Sequence, residues 1–220
     1  IVLTMTAFLI VFGTVGYFLL EFNNPETMKD LSVPEKLLAS AFQSVTTRTA
    51  GFASVSQSGL TESSRLLGCI LMFVGGSPAG TAGGIKTTTF AMLVLTIISV
   101  LRGHKDTECF GRRVEMDSVR SALTITLITF TCWLAAVAAM SIFDPQTEFL
   151  NLMYEASSAI GTVGLSADLT PHLTRASHVV LMLLMYIGRI GPLTMALVFA
   201  GKSNKSDKFR ELPEKKIMLG

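Results

Sequence analysis

Two tetrapeptides carry the strongest chemical signal in this chain. Thr49-Ala50-Gly51-Phe52 and Thr162-Val163-Gly164-Leu165 superpose when the sequence is slid on itself by 113 residues, and Ser44 meets Ser157 at the same offset. Glycine in the third place lets the backbone take conformations closed to other residues, so successive carbonyls can face one axis. A ring of such carbonyls replaces the hydration shell of a potassium ion where four TVGYG loops meet. Thr162-Val163-Gly164 reproduces the start of that signature, and Thr49-Ala50-Gly51 is a looser copy. Each follows a short apolar run, Leu37 to Thr46 and Phe149 to Ile160. These are well below the roughly 20 residues that cross a bilayer and suit re-entrant helices, which are tolerated only where protein or a wet cavity surrounds them. Each would aim its partly negative C-terminal end at a cation path. A lone copy would read as an ordinary loop; two copies in the same setting favour a pore.

A second motif, Gly75-Gly76-Ser77-Pro78-Ala79-Gly80-Thr81-Ala82-Gly83-Gly84-Ile85-Lys86-Thr87, interrupts an apolar segment. A phosphate loop needs glycine directly before Lys-Ser/Thr, and Ile85 stands there, which argues against nucleotide binding. Pro78 and the glycines instead unwind a helix inside the membrane, leaving carbonyls that need water or protein partners. Below a filter, such a loop would obstruct the path as a gate. Arg189 lies near the middle of another apolar segment, where a charge costs at least ~2.5–3.5 kcal/mol and faces the bundle interior. It either ties helices together through carbonyls or sets a fixed positive charge beside the gate; Lys86 has the same status, toward the cytoplasmic end. Arg48, next to the first tetrapeptide, calls for carbonyls or a carboxylate, with Glu155 the candidate.

Other chemistry is not indicated. Cys69, Cys109 and Cys132 are odd in number, far apart and without CxxC spacing, which excludes a cysteine-built zinc site or disulfide framework. His104, His172 and His178 show no ligand spacing, and the latter two read as solvated. No catalytic constellation, and no cofactor, follows from the spacing of the remaining residues; the only metal expected is potassium at the two tetrapeptides.

The elements that must position these residues are membrane helices. The chain has 220 residues, 50% hydrophobic and 15% charged, with mean hydropathy +0.53, against roughly 25% charge in soluble domains. A net charge of +2 without a dense basic stripe gives no reason to expect nucleic acid. Ile1 to Leu20, Leu66 to Leu101 (broken at the glycine-rich loop), Ala122 to Phe143 and Ser177 to Ala200 read as four spans. The chain opens inside an apolar run with no basic segment before it, so the first reads as a span rather than a signal peptide, within a longer chain. Five Lys/Arg between Arg102 and Arg120 and six from Lys202 onward, against two between Glu21 and Lys36 and one between Asp144 and Arg175, place the first two segments in the cytoplasm. The fold expected is an all-α membrane protein of repeated span–pore helix–filter loop–span units: one over 1–102, a cytoplasmic loop over 103–118, a second unit over 119–201 and a cytoplasmic tail over 202–220. Internal repeats of this kind place substrate at the repeat interface.

Four ordered motifs resemble the Trk/Ktr/HKT potassium transporter family. Phe42-Gln43-Ser44-Val45-Thr46-Thr47-Arg48-Thr49-Ala50-Gly51-Phe52 is similar to its third pore loop and the 75–87 segment to the intramembrane loop that follows. Gly161-Thr162-Val163-Gly164-Leu165-Ser166 resembles the fourth pore loop, and Gly188-Arg189-Ile190-Gly191-Pro192 the final helix. The tail ending Pro213 to Gly220 is more similar to the Ktr branch, in which a KtrB-like pore subunit has four such units; this chain matches the last two. The resemblance implies multi-pass residence in the cell membrane and potassium uptake through a filter at Thr49, Ala50, Gly51, Phe52, Thr162, Val163, Gly164 and Leu165. It implies a gate involving Gly75, Gly76, Ser77, Pro78, Gly80, Gly83, Gly84, Lys86 and Arg189. It further implies sodium as an activator, the N-terminal half of the same subunit, a homodimer partner, membrane lipid, and a cytosolic ring of nucleotide-binding regulatory subunits on the basic segments. Beside this stand a secondary transporter of another solute, and a membrane enzyme or receptor using the glycine-rich loop as a ligand site.

Overall fold

A computed structural model describes residues 1–78, 80, 82–103, 106–109 and 112–191. Ala79 and Thr81 of the glycine-rich loop, His104, the 202–220 tail and the end of the fourth expected span lie outside the described residues. Seven α-helices occur among those described: α1 (Val2–Glu21), α2 (Val33–Thr46), α3 (Glu62–Phe73), α4 (Thr87–Leu101), α5 (Met116–Phe143), α6 (Phe149–Ile160) and α7 (Arg175–Ile190). A two-stranded antiparallel hairpin, β1 (Glu108–Cys109) and β2 (Arg112–Arg113), sits in the segment expected as a plain loop.

Two of the helices, α1 and α5, are long and apolar enough to cross a membrane. At 28 residues, α5 exceeds the roughly 20 a bilayer core requires. Both carry apolar side chains outward, as lipid contact requires, with Leu3 85% and Ile142 76% exposed. The broken span appears as α3 and α4 flanking the glycine-rich loop, and the two short apolar runs appear as α2 and α6. Each unit therefore runs long helix, short helix, turn, helix.

The short helices start where the sequence caps them. The backbone N–H of Ser32 donates to Glu35 Oε2 at 2.8 Å in a capping box, and Pro34 fits the first turn of α2. Thr61 caps α3 and Thr174 caps α7, each hydroxyl accepting from the N–H three residues on. Asp144, at the end of α5, accepts from the Thr174 N–H and hydroxyl and from the Ser177 hydroxyl, which ties α5 to the start of α7. Desolvation pushes the Asp144 carboxyl up, but these donors, Ser177 foremost, outweigh it and hold it below the usual carboxylate range.

The aligned serines do parallel work. Ser44 of α2 donates to the Ile10 carbonyl of α1 at 2.8 Å, and Ser157 of α6 accepts from the Trp133 indole of α5 at 3.0 Å. Each short helix is thus pinned to the long helix preceding it. One apolar core gathers Val137, Met140, Leu152, Ile160, Leu181 and Leu184 between α5, α6 and α7. A second, of Cys69, Met72, Tyr154, Val163, Leu165 and Ala167, lies directly behind the second tetrapeptide.

Candidate functional site

The two tetrapeptides have matching backbones. Thr49 and Gly51 have φ of +70° and +77°; Thr162 and Gly164, 113 residues on, have +50° and +93°. Ala50 and Val163, between them, are not among the positive-φ residues. Alternation of sign turns consecutive peptide planes the same way, so their carbonyls share a side. A β-branched residue at positive φ is an outlier, costing on the order of 1–3 kcal/mol where surrounding structure enforces it. Two threonines in that state at equivalent positions mark a specified conformation.

Local hydrogen bonds enforce it. In the first turn the Gly51 N–H donates to the Thr46 carbonyl at 3.2 Å; in the second the Val163 N–H donates to the Ser158 carbonyl at 2.9 Å. A hydroxyl in the last turn of each short helix then accepts the N–H six residues on: Thr46 from Phe52 at 2.8 Å, Ser158 from Gly164 at 3.2 Å. Sequence reading passed over both hydroxyls, because the two pairs are offset by one residue from the tetrapeptide alignment.

The turns also meet. The Thr49 hydroxyl donates to the Gly161 carbonyl at 3.2 Å, and a Cβ on Gly51 would lie 2.1 Å from the Val163 carbonyl oxygen. Val163 and Leu165 bury their side chains in the core behind, at 5% and 3% exposure, which leaves the backbone for the other side. Phe52 of the first turn is 71% exposed. A cavity of about 440 Å³ beside the second turn is lined by Ser158, Thr162, Gly164, Met185 and Arg189 among others.

The glycine-rich loop is laced against both turns. Its limbs are joined by a parallel bridge between Val74 and Ile85 and by the Thr87 N–H to the Gly76 carbonyl at 3.1 Å. They cross so closely that a Cβ on Gly75 would stand 2.0 Å from the Gly83 carbonyl oxygen. The Gly83 N–H donates to the Thr162 hydroxyl at 2.9 Å, and the Arg48 guanidinium donates to the Gly75 carbonyl at 3.1 Å. Lys86 donates to the Ala82 carbonyl within the loop, at the start of α4. Gly84 has φ +67°, Pro78 lies in a turn, and the Gly80 N–H donates to the Ser77 carbonyl at 3.4 Å.

The charged residues around the turns are placed as follows. Of the two partners open to Arg48, a carbonyl or Glu155, the structure gives a loop carbonyl, that of Gly75. Glu155 instead accepts from the Ala167 N–H at 3.2 Å and from the Ser166 and Thr170 hydroxyls, anchoring the segment that leaves the second turn. Arg189 lies in the last turn of α7, before Gly191 at φ +94°, and its charge reaches Lys86 at the start of α4. Gly188 beside it lets α7 close on α6: a Cβ there would lie 2.1 Å from the Ile160 carbonyl oxygen. His178, in the first turn of α7, hydrogen-bonds the Thr170 carbonyl at 2.9 Å.

Residues 1–211 match the family model of TrkH cation transport proteins. The chain is 37% identical over 220 residues to the Ktr system potassium uptake protein B of Bacillus subtilis, covering 100% of this chain and 48% of that protein. It is 34% identical over 223 residues to the potassium/sodium uptake protein NtpJ of Enterococcus hirae, with 100% and 49% covered. The solved structure of the potassium transporter TrkH from Vibrio parahaemolyticus aligns with a TM-score of 0.68 at 18% identity, over 89% of this chain and 43% of that one, and shows the shared fold. This chain spans about half the length of the curated relatives it matches. It belongs to the TrkH cation transport family.

Proposed function

We propose that this member of the TrkH cation transport family supplies two of the carbonyl-lined turns through which potassium crosses the cell membrane. The observation that carries the proposal is the paired left-handed backbone, Thr49/Gly51 and Thr162/Gly164, held by threonine and serine hydroxyls at the mouths of two short helices. Such turns present stacked carbonyl oxygens to a dehydrated cation. The C-terminal ends of α2 and α6, which lead into them, add partial negative charge. The relatives at one third identity and above are named for potassium or potassium/sodium uptake, which agrees with a cation of that size.

In this reading potassium moves passively along Thr49 to Phe52 and Thr162 to Leu165, and the loop from Gly75 to Gly84 is the gate beneath them. Arg189 and Lys86 place fixed positive charge at that gate. Two turns do not close a four-sided ring, so the remaining turns come from the N-terminal half of the same subunit, in a homodimer embedded in lipid. A cytosolic nucleotide-binding ring biases the gate, and sodium acts as an activator; the relatives' designation as parts of a Ktr system accords with partner subunits.

Rubidium or potassium flux into proteoliposomes carrying the complete transporter, with and without sodium, tests this. Selective, downhill flux is expected. Flux of an unrelated solute in place of potassium, or no cation flux from intact protein, overturns it.

A further inference from the structure

Behind the two turns lies a buried polar cluster that neither the tetrapeptides nor the glycine-rich loop account for. Gln43 of α2, Gln57 of the segment after the first turn, and Tyr154 of α6 are 0%, 5% and 0% exposed. Gln43 Nε2 donates to Gln57 Oε1 at 2.7 Å, and Gln57 Nε2 returns a bond to Gln43 Oε1 at 3.2 Å. The second Gln57 N–H goes to the Val55 carbonyl at 2.8 Å, and Tyr154 Oη donates to Gln57 Oε1 at 2.8 Å. Every donor and acceptor of the Gln57 amide is therefore used. Gly68 of α3 leaves room for the Tyr154 ring, which a Cβ there would meet at 3.0 Å.

We infer that Gln43, Gln57 and Tyr154 are positioning residues that fix the outgoing limb of the first turn against the short helix that carries the second, and so set ion discrimination. The inference rests on the pore reading above. Its logic is geometric: Gln57 and Val55 belong to the irregular segment leaving Phe52, whereas Tyr154 lies two turns of helix before Gly161. The Gln57 amide thus links the two repeats beside the contacts that Thr49 and Gly51 make with the second turn. A buried network that is fully satisfied rigidifies its surroundings, and a filter discriminates ions of similar charge only if its carbonyls hold their spacing.

The test uses the complete transporter. Tyr154→Phe keeps the ring and removes only the donor; Gln57→Leu removes both amide functions; Gly51→Ser reports on the filter itself. Potassium and sodium competition against rubidium uptake gives the discrimination ratio, and thermal unfolding in detergent gives stability. Tyr154→Phe should lower the potassium-over-sodium ratio by about fivefold, the factor that one typical hydrogen bond is worth, with rubidium uptake at saturation retained. Gln57→Leu should lower it further, and Tyr154→Phe should add little in the Gln57→Leu background, because the shared acceptor is gone. If Gly51→Ser changes the ratio while Tyr154→Phe leaves it at the parental value, the positioning role is overturned and the pore reading stands. If Gly51→Ser also leaves it unchanged, the pore reading itself falls. A lowered melting temperature in Tyr154→Phe with an unaltered ratio likewise overturns the inference, since it marks a purely structural role.

Discussion

Replacing either turn glycine by alanine separates two effects that the structure assigns differently. Gly51 and Gly164 both sit in left-handed backbone, at φ +77° and +93°. Forcing an L-residue there costs about 1–2 kcal/mol. At Gly164 a Cβ meets no heavy atom within 4 Å, so strain is the whole cost. At Gly51 the new methyl would stand 2.1 Å from the Val163 carbonyl oxygen, a backbone atom with no flexible side chain to yield. That oxygen belongs to the facing turn, so relief requires the turns to part or the Val163 peptide to rotate. Overpacking adds about 1–3 kcal/mol. Gly164→Ala should therefore weaken potassium affinity by about tenfold, since 1.4 kcal/mol is a factor of ten. Gly51→Ala should weaken it by at least a further fivefold and lose discrimination against sodium. Uptake of rubidium against competing potassium and sodium, in cells lacking other potassium uptake and at matched expression, reads both. Equal effects, or a milder phenotype at Gly51, would refute the reasoning.

Three further outcomes follow. Deleting Ser77 to Gly83 should raise flux through the assembled pore, and Arg189→Ala should act in the same direction more weakly; a fall in flux with normal expression would make the loop a coupling element instead. Gly188→Ala should lower the melting temperature of the purified transporter, because its Cβ would lie 2.1 Å from the Ile160 carbonyl oxygen and drive α7 from α6; an unchanged melting curve would contradict that packing. Reversing Arg112 and Arg113 to glutamate should weaken co-purification of a soluble nucleotide-binding ring while leaving basal flux, whereas retained ring binding with altered insertion would assign those charges to topology alone.

The turns were legible because their chemistry is local. Thr-apolar-Gly after a short apolar run predicts left-handed backbone at a helix mouth, and the glycine dihedrals agree with it. The left-handed threonines were not legible, since a β-branched residue gives no propensity for that state; it is imposed by hydroxyls from Thr46 and Ser158 and by the facing turn. The break after Phe73 could be read from Pro78 and the glycines, but not the crossing of its limbs at Gly75 and Gly83, which depends on contacts far apart in sequence. Arg48 illustrates the same limit. Charge alone left a carbonyl and Glu155 both open; a carbonyl freed by the broken helix satisfies one of the Arg48 donors, and Glu155 is engaged by Ser166, Ala167 and Thr170. The pairing of Glu108–Cys109 with Arg112–Arg113 was missed because two-residue strands carry no periodicity.

The lacing of the loop to the turns bears on how a gate here would work. Gly83 holds Thr162, and Arg48 holds Gly75, so each turn owns one hydrogen bond to the loop. A net worth of about 1 kcal/mol for a neutral bond and about 1.5–3 for a charged one puts the tether at roughly 2.5–4 kcal/mol, a bias on the order of a hundredfold to a thousandfold toward the tethered arrangement. Swinging an equilibrium biased 1:99 to its inverse takes roughly 5.5 kcal/mol of differential binding. The same two bonds make the loop's position and the turns' geometry interdependent: releasing Gly83 frees the hydroxyl of a threonine already held in strained backbone. Opening and ion selectivity should then vary together, and a variant that opens the loop by cutting only the Arg48 bond, Arg48→Gln, should disturb the first turn more than the second.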